Sequence, residues 1–355
     1  MRPASSLGAA CIGLGLLASA RPAAVTDQSP TTAAYNSTLT AVSGLKVGHF
    51  TLTERPTGCT VVLAGDGVVA GVDVRGAAPG TRDTELLAPE NVVDKVHAIV
   101  LSGGSAFGLD AASGVMRWLE EHKIGFQFGG ARVPIVPAAI LFDLGVGDPS
   151  IRPTADCGYR AAAAATNARV AEGSIGAGAG ATIGKLRGMA HAMKGGVGSA
   201  AVELNSGLIV AALVVVNSVG DVVDPATGQI VAGARADDGT WADARRLLRA
   251  GLLEPGRAGE QTTLAVVATN AALTKTQATK IAQMAHDGFA RAIYPVHTQV
   301  DGDTVFALAT GTHSAPPNML LIGALAADVT ADAIVRAVKA ATGLPNLPAA
   351  RDLAR

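Results

Sequence analysis

The sequence predicts a mixed fold, α+β or layered α/β, in which strands and helices share one core. Three observations carry this. Short apolar, partly β-branched runs recur at 45–50, 59–64, 68–74, 96–101, 207–216, 263–268 and 304–310, each the length of a buried strand. Other stretches repeat apolar residues every three or four positions, as a helix with one buried face requires. The two kinds of segment do not alternate with a regular strand–helix–strand period, which argues against a doubly wound dinucleotide-binding fold. The composition agrees: 49% hydrophobic residues, 3% aromatics and 43 glycines describe a core of small residues with close backbone approaches, not a disordered chain.

At the N-terminus, Arg2 precedes an apolar stretch over 7–18, and Ala18-Ser19-Ala20 offers a small-residue cleavage site. The stretch is too short to span a bilayer. The sequence therefore predicts a signal peptide over 1–20 and a flexible Ala/Thr/Ser/Pro-rich leader over 21–44, with export to the envelope or medium. A disordered extension on a cytosolic enzyme is the alternative. Cys59 and Cys157 remain after such processing, and a pair permits one disulfide. Nothing in their spacing indicates pairing, so buried free thiols are the expectation.

From position 45 onward no linker divides the chain, and 45–355 reads as one domain. Gly65 and Gly67 punctuate two apolar runs like a hairpin turn. The run over 96–101 enters Ser102-Gly103-Gly104-Ser105 and then a helix to about 121, whose stripe is Ala111, Val115 and Leu119 with Ala112 and Met116 beside it. Segment 134–143 reads as irregular or an edge, 158–172 as an alanine-rich helix, 173–184 as a glycine-rich loop and 241–252 as a helix. Thr274 and Gln277 form a capping box ahead of an apolar face of Ile281, Met284, Ala285, Phe289 and Ile293. Segment 320–341 is mostly helical.

Several positions carry possible chemistry. Thr262 stands where a polar, turn-rich loop over 254–261 meets the apolar run 263–268. Cutting the loop before Thr262 would free an α-amine, of reference pKa about 7.7–8.0, beside the hydroxyl it can deprotonate. The plainer explanation is that threonine suits the first position of a strand. Ser105 is a rival nucleophile, since strand, Gly103-Gly104-Ser105 and helix have the order of a nucleophile elbow. Phe107 stands where that motif needs glycine, so a tight turn with Ser105 capping the helix is the better reading. Gly176-Ala177-Gly178-Ala179-Gly180 with Gly184-Lys185 suggests a phosphate loop but fails at Ala179 and Leu186, which leaves Lys185 as an isolated cation among glycines. Asp301-Gly302-Asp303 reads as a hairpin turn, or as two carboxylates able to hold an ammonium and orient a hydroxyl. Asn217, ending an apolar run, is a turn former or an oxyanion donor. The seven histidines are scattered singly, without metal-ligand spacing. A net charge of −1 and a pI near 6.7 leave no electrostatic footprint for nucleic acid.

Taken together, Val47-Gly48-His49, Thr57-Gly58-Cys59-Thr60, Leu101-Ser102-Gly103-Gly104-Ser105-Ala106-Phe107-Gly108-Leu109, the glycine-rich stretch with Lys185, Val216-Asn217, Thr262-Thr263 and Asp301-Gly302-Asp303 resemble the L-aminopeptidase/D-esterase family of self-processing N-terminal-nucleophile hydrolases. The separation of Thr262 from Asp301 resembles the nylon-oligomer hydrolase branch. The resemblance implies a four-layer αββα sandwich, as in ornithine acetyltransferases, made as a precursor that cuts itself between Gln261 and Thr262. It implies that Asp301 and Asp303 orient the threonine, and that Asn217 and Lys185 line the site with Asn217 donating to the oxyanion. It further implies a homo-oligomer, commonly a tetramer, no metal or organic cofactor, and a small peptide or amide as substrate.

Two departures stand out. Phe142 occupies a place where the branch usually has tyrosine, and Gln261 precedes the nucleophile where Asn or Gly is usual. Phe142 and Ser105 are expected near the substrate. A member that keeps the fold without self-cleaving, as a binding or scaffold protein, is the alternative from a different class.

Overall fold

The computed structural model describes residues 36–252 and 261–353. The expected signal peptide over 1–20, the leader as far as 35 and the loop over 253–260 lie outside the described residues. Nine strands form one sheet: β1 (Lys46–Thr51), β2 (Gly58–Val74), β3 (Thr81–Arg82), β4 (Lys95–Ser102), β5 (Ala138–Ile140), β6 (Gly196–Glu203), β7 (Ile209–Asn217), β8 (Thr262–Ala271) and β9 (Thr304–His313). Their order is β6-β7-β8-β9-β2-β4-β5-β3, with β1 also on β2. The main helices are α1 (Ala111–Glu121), α2 (Ala155–Ala163), α3 (Ala244–Ala250), α4 (Lys275–Ala292) and α5 (Met319–Ala340).

Strand β2 turns one sheet into two layers. Its first part pairs with β1 and β4, its last part with β9, and the β4 register shifts between Leu63 and Val68. Gly65 and Gly67 sit in this shift with φ of +56° and +98°. The hairpin expected there is instead a bend within a single 17-residue strand. Glycine allows the left-handed backbone in both cases, and long-range pairing on either side of the bend decides between them.

Alternation along the strands then assigns the layers. On β7, Val210, Ala212, Val214 and Val216 pack with Ile281, Phe289, Ile322 and Ile334 of α4 and α5. The intervening Ala211, Leu213 and Val215 pack with Val62, Ile99 and Leu101 of β2 and β4. The opposite faces of β2 and β4, through Cys59, Val61, Ala98 and Val100, pack on Ala111, Val115 and Ala161 of α1 and α2. The result is α4/α5, sheet, sheet, α1/α2: the four-layer αββα sandwich. In the outer pair of helices, α1 and α2 meet at glycine. A Cβ on Gly114 would lie 1.7 Å from the Ala155 carbonyl oxygen, and one on Gly158 would lie 1.8 Å from that of Ala111.

Several local expectations change. Segment 36–44 is packed rather than loose: Leu39 and Val42 are fully buried, and the Leu39 N–H donates to Ser199 Oγ at 2.8 Å. The alanine-rich helix runs over Ala155–Ala163 and stops early, because Thr166 leaves it to bridge Val47. Ser105 does not cap a helix. It lies inside a short 3₁₀ turn, Ser105–Asp110, with φ of +57°, and its N–H donates to the Leu141 carbonyl. Cys59 and Cys157 are not free thiols but a buried disulfide tying β2 to α2, with Cα atoms 6.2 Å apart. The capping box at Thr274 and Gln277 forms both of its hydrogen bonds. No helix among the described residues is long and apolar enough to cross a membrane.

Candidate active site

The site lies where the first residue of β8 meets the last residue of β7. Thr262 and Asn217 are direct partners in that antiparallel ladder, and both are buried. β8 also pairs in parallel with β9, so the loop preceding β9 arrives beside the start of β8. Here Asp301-Gly302-Asp303 is not a hairpin turn. Asp301 bridges Gln261, and the Gly302 N–H donates to the Gln261 carbonyl oxygen at 2.8 Å. The Thr262 hydroxyl donates to that same oxygen at 2.5 Å. Gly302 has no room for a side chain, since a Cβ would lie 2.7 Å from Thr262 Oγ1 and 2.8 Å from the Ala78 carbonyl oxygen.

The two carboxylates have different partners. Asp303 Oδ1 accepts the Thr263 N–H at 2.7 Å, while Oδ2 accepts from the His297 backbone at 3.1 Å and lies 2.8 Å from its Nδ1. Asp301 Oδ2 accepts both the N–H and the hydroxyl of Thr298, at 2.8 and 2.6 Å. Its Oδ1 is buried and has no hydrogen-bond partner among the described residues. Burial, and then the charge of Asp303, push the Asp301 carboxyl up to about 6, against the opposing pull of the Thr298 bonds and Lys185.

On the other side of Thr262, Asn217 is held through both ends of its side chain. Its Oδ1 accepts from Thr182 N (2.9 Å), Thr182 Oγ1 (3.3 Å) and Lys185 Nζ (3.1 Å), which leaves its amide N–H to donate to the Phe142 carbonyl at 3.1 Å. Lys185 also reaches the Asn217 backbone carbonyl at 3.3 Å. A tyrosine hydroxyl is absent at position 142, but the contact made there with Asn217 uses the main chain and is indifferent to the side chain. A fully buried Lys194 fixes the glycine-rich stretch from behind, donating to the Ala179 and Ala181 carbonyls at 2.7 and 2.8 Å.

The structure thus gathers Gln261, Thr262, Asn217, Lys185, Asp301 and Asp303 at one place. Phe142 touches Asn217, and Ser105 stands one step away, bonded to Leu141. Sequence reasoning missed Gly302 as a backbone donor, Thr182 and Thr298 as hydroxyl partners, and His297. Gly302 was legible only as the middle of a turn, and a lone histidine carries no pattern. Chemically, the arrangement presents a hydroxyl, a polarised carbonyl, two carboxylates and a cation, all on buried residues.

The model of peptidase family S58 matches residues 37–348. The chain is 45% identical over 346 residues to an uncharacterized aminopeptidase of Mycobacterium leprae, a match covering 89% of this chain and 94% of the relative. It is 30% identical over 311 residues to a 6-aminohexanoate-oligomer endohydrolase of Kocuria sp., covering 83% and 84%. Among solved structures, a Burkholderia sp. β-aminopeptidase superposes with a TM-score of 0.65 at 25% identity, over 86% of this chain and 87% of that one. With a family match across nearly all of its described length and a fold shared with such an enzyme, this chain belongs to peptidase family S58 and is a hydrolase of peptide or amide bonds.

Proposed function

We propose that the chain is a self-cleaving aminopeptidase or amidohydrolase whose nucleophile is Thr262, freed as an N-terminus by scission after Gln261. One observation carries this: the Thr262 hydroxyl lies 2.5 Å from the carbonyl oxygen of its own preceding residue, and that carbonyl is already polarised by the Gly302 N–H. Thr262 Oγ1 gives up its proton as it attacks the Gln261 carbonyl carbon, the amide nitrogen takes up a proton and leaves as the α-amine, and an ester joins the two residues. Water hydrolyses the ester to the Gln261 carboxylate and restores the hydroxyl. In the mature enzyme the α-amine takes the hydroxyl proton, Oγ1 attacks a substrate amide, and the departing amine carries the proton away. A second water clears the acyl-enzyme. The substrates are small amides: peptides with small N-terminal residues, or short amino-acid oligomers, a range suggested by what the relatives are named for.

The deciding measurement is the intact mass of purified protein incubated at neutral pH, with the N-terminal sequence of any fragment. Two fragments parting between Gln261 and Thr262 support the proposal. A chain that stays whole while hydrolysing an ester sinks it and moves the nucleophile to Ser105. One that stays whole and inactive favours a scaffold role.

Asp301 sets the expected pH dependence. With its carboxyl pushed up to about 6, it is neutral below that value, and only the carboxylate can accept a proton or hold an ammonium. Self-cleavage is expected to fall about tenfold per pH unit below 6 and to level off above it, and Asp301→Asn to remove that limb. The linkage has the opposite sign for stability. The carboxyl's ordinary value is 3.8, so stability falls as pH rises from 3.8 through about 6 and is then constant.

The same reading has the chain exported through segment 1–20. The buried Cys59–Cys157 disulfide supports it, because such bonds persist in oxidising compartments. N-terminal sequencing of the protein from its native host tests this directly.

A further inference from the structure

His297 belongs to none of the motifs in the sequence and to none of the side chains assigned a role above. It lies in the segment between α4 and β9 with φ of +55°, a left-handed backbone that non-glycine residues seldom adopt. Its Nδ1 faces Asp303 Oδ2 at 2.8 Å, and its backbone N–H reaches the same oxygen. The other oxygen of that carboxylate holds the Thr263 N–H, one residue from the nucleophile. One carboxylate, 1% exposed, therefore spans from the imidazole to the start of β8.

A carboxylate only accepts, so Nδ1 carries the proton in this bond. The opposite nitrogen, Nε2, is buried with no hydrogen-bond partner among the described residues, which leaves Nδ1 as the ring's working end. The ring is walled by His286, at 4.7 Å between centroids and edge-on, and by Phe289 at 5.8 Å. His286 is fully buried, and burial pushes it down to about 3, so it stands as a neutral ring with Nε2 3.0 Å from the Asp73 carbonyl oxygen. The imidazole is thus held in a fixed orientation against Asp303.

We propose that His297 is a positioning residue: its Nδ1–H locks the Asp303 carboxylate, which in turn sets Thr262 in line with the Gln261 carbonyl. This rests on the reading of Thr262 as nucleophile. Losing the donor lets the carboxylate rotate away from the Thr263 N–H that it holds. The charge of Asp303 helps push the Asp301 carboxyl up, so moving the Asp303 carboxylate alters Asp301 as well. Among the described residues, the other charged or titratable groups facing the assembly are Lys185 toward Asp301, and Asp73 and Arg75 toward His286. None of them donates to Asp303 Oδ2 in place of the imidazole.

The test is the pH profile of self-cleavage, read by intact mass, for the wild type and three variants whose folding is checked by thermal unfolding. His297→Asn keeps an N–H near the Nδ1 position and tolerates positive φ. His297→Gln fills the space but carries its N–H toward the Nε2 end, and His297→Gly relieves the backbone while removing the donor. The Asn variant is expected within about threefold of the wild type, and the Gln and Gly variants at least about tenfold slower at pH 6, with their acid limbs displaced from that of the wild type. Gln and Gly variants that cleave like the wild type with an unmoved limb overturn the proposal. So does an Asn variant as slow as the Gln variant with its limb unmoved, which marks a merely structural ring. A wild-type chain that stays whole overturns the Thr262 reading itself, and this inference with it.

Discussion

Thr262→Ala is expected to remain a single chain of full mass under conditions that convert the wild type to two fragments. The methyl group that replaces the hydroxyl has no lone pair to attack the Gln261 carbonyl, and among the described residues the neighbouring side chains are committed elsewhere: Asp303 to Thr263 and His297, and Asn217 to Thr182, Lys185 and Phe142 among others. Thr262→Ser keeps the oxygen and is expected to cleave. The companion variant is Gly302→Ala. Its backbone N–H is the donor on the Gln261 carbonyl, and the added methyl would press on Thr262 Oγ1 and the Ala78 carbonyl. Alanine keeps that N–H, but relieving the two clashes shifts it off the carbonyl; losing one oxyanion donor costs on the order of a hundredfold in rate, and displacing the nucleophile as well should make that a minimum. Time courses of intact mass read all three variants. Cleavage of Thr262→Ala at the wild-type rate would remove the nucleophile from the argument altogether.

Asp143→Ala is expected to cost about 3–5 kcal/mol of stability, the range for stripping one partner from a buried ion pair. Arg55 and Asp143 have side chains with no exposure at all, and Arg55 Nη2 lies 2.8 Å from Asp143 Oδ1. The guanidinium also donates to the carbonyls of Val146 and Ile151, at 2.7 and 2.9 Å, and to that of Asp143. The carboxylate accepts the Thr57 hydroxyl at 2.5 Å and the Gly104 N–H at 2.9 Å. Removing it leaves a charge in the dry interior and two orphan donors. The effect should also reach the site, because the same carboxylate anchors the Gly103-Gly104 turn and the 141–143 segment whose Phe142 carbonyl holds Asn217. Urea unfolding in a Thr262→Ala background measures the stability term without interference from cleavage. Self-cleavage of the single Asp143→Ala variant measures the rest. Unfolding within about 1 kcal/mol of the parent would mean that water enters and solvates Arg55.

The fold class was legible because it rests on local patterns. Apolar runs of strand length, the stripe on α1 and the capping box at Thr274 each follow from side chains a few residues apart, and such signals survive without knowledge of the partners. The convergence of Thr262, Asn217, Lys185, Asp301 and Asp303 was legible only through family resemblance. Each residue alone had an ordinary explanation as a turn former, strand starter or isolated cation.

What remained hidden was set by distant contacts. Gly65 and Gly67 permit a hairpin or a bend equally well, and pairing of β2 with β4 and β9 selects the bend. The helix after Ala155 ends where Thr166 finds Val47. Cys59 and Cys157 are 98 residues apart, and only the docking of α2 on β2 brings their sulfurs together. His297 and Gly302 owe their places beside the nucleophile to the parallel pairing of β8 with β9, which delivers a loop from farther along the chain to the start of β8. The sequence by itself determined the fold class, most of the strands and helices, and the chemical types available to a site. Tertiary structure decided which of those groups touch, because hydrogen bonds and desolvation act over a few ångströms in space, and separation along the chain does not report that distance.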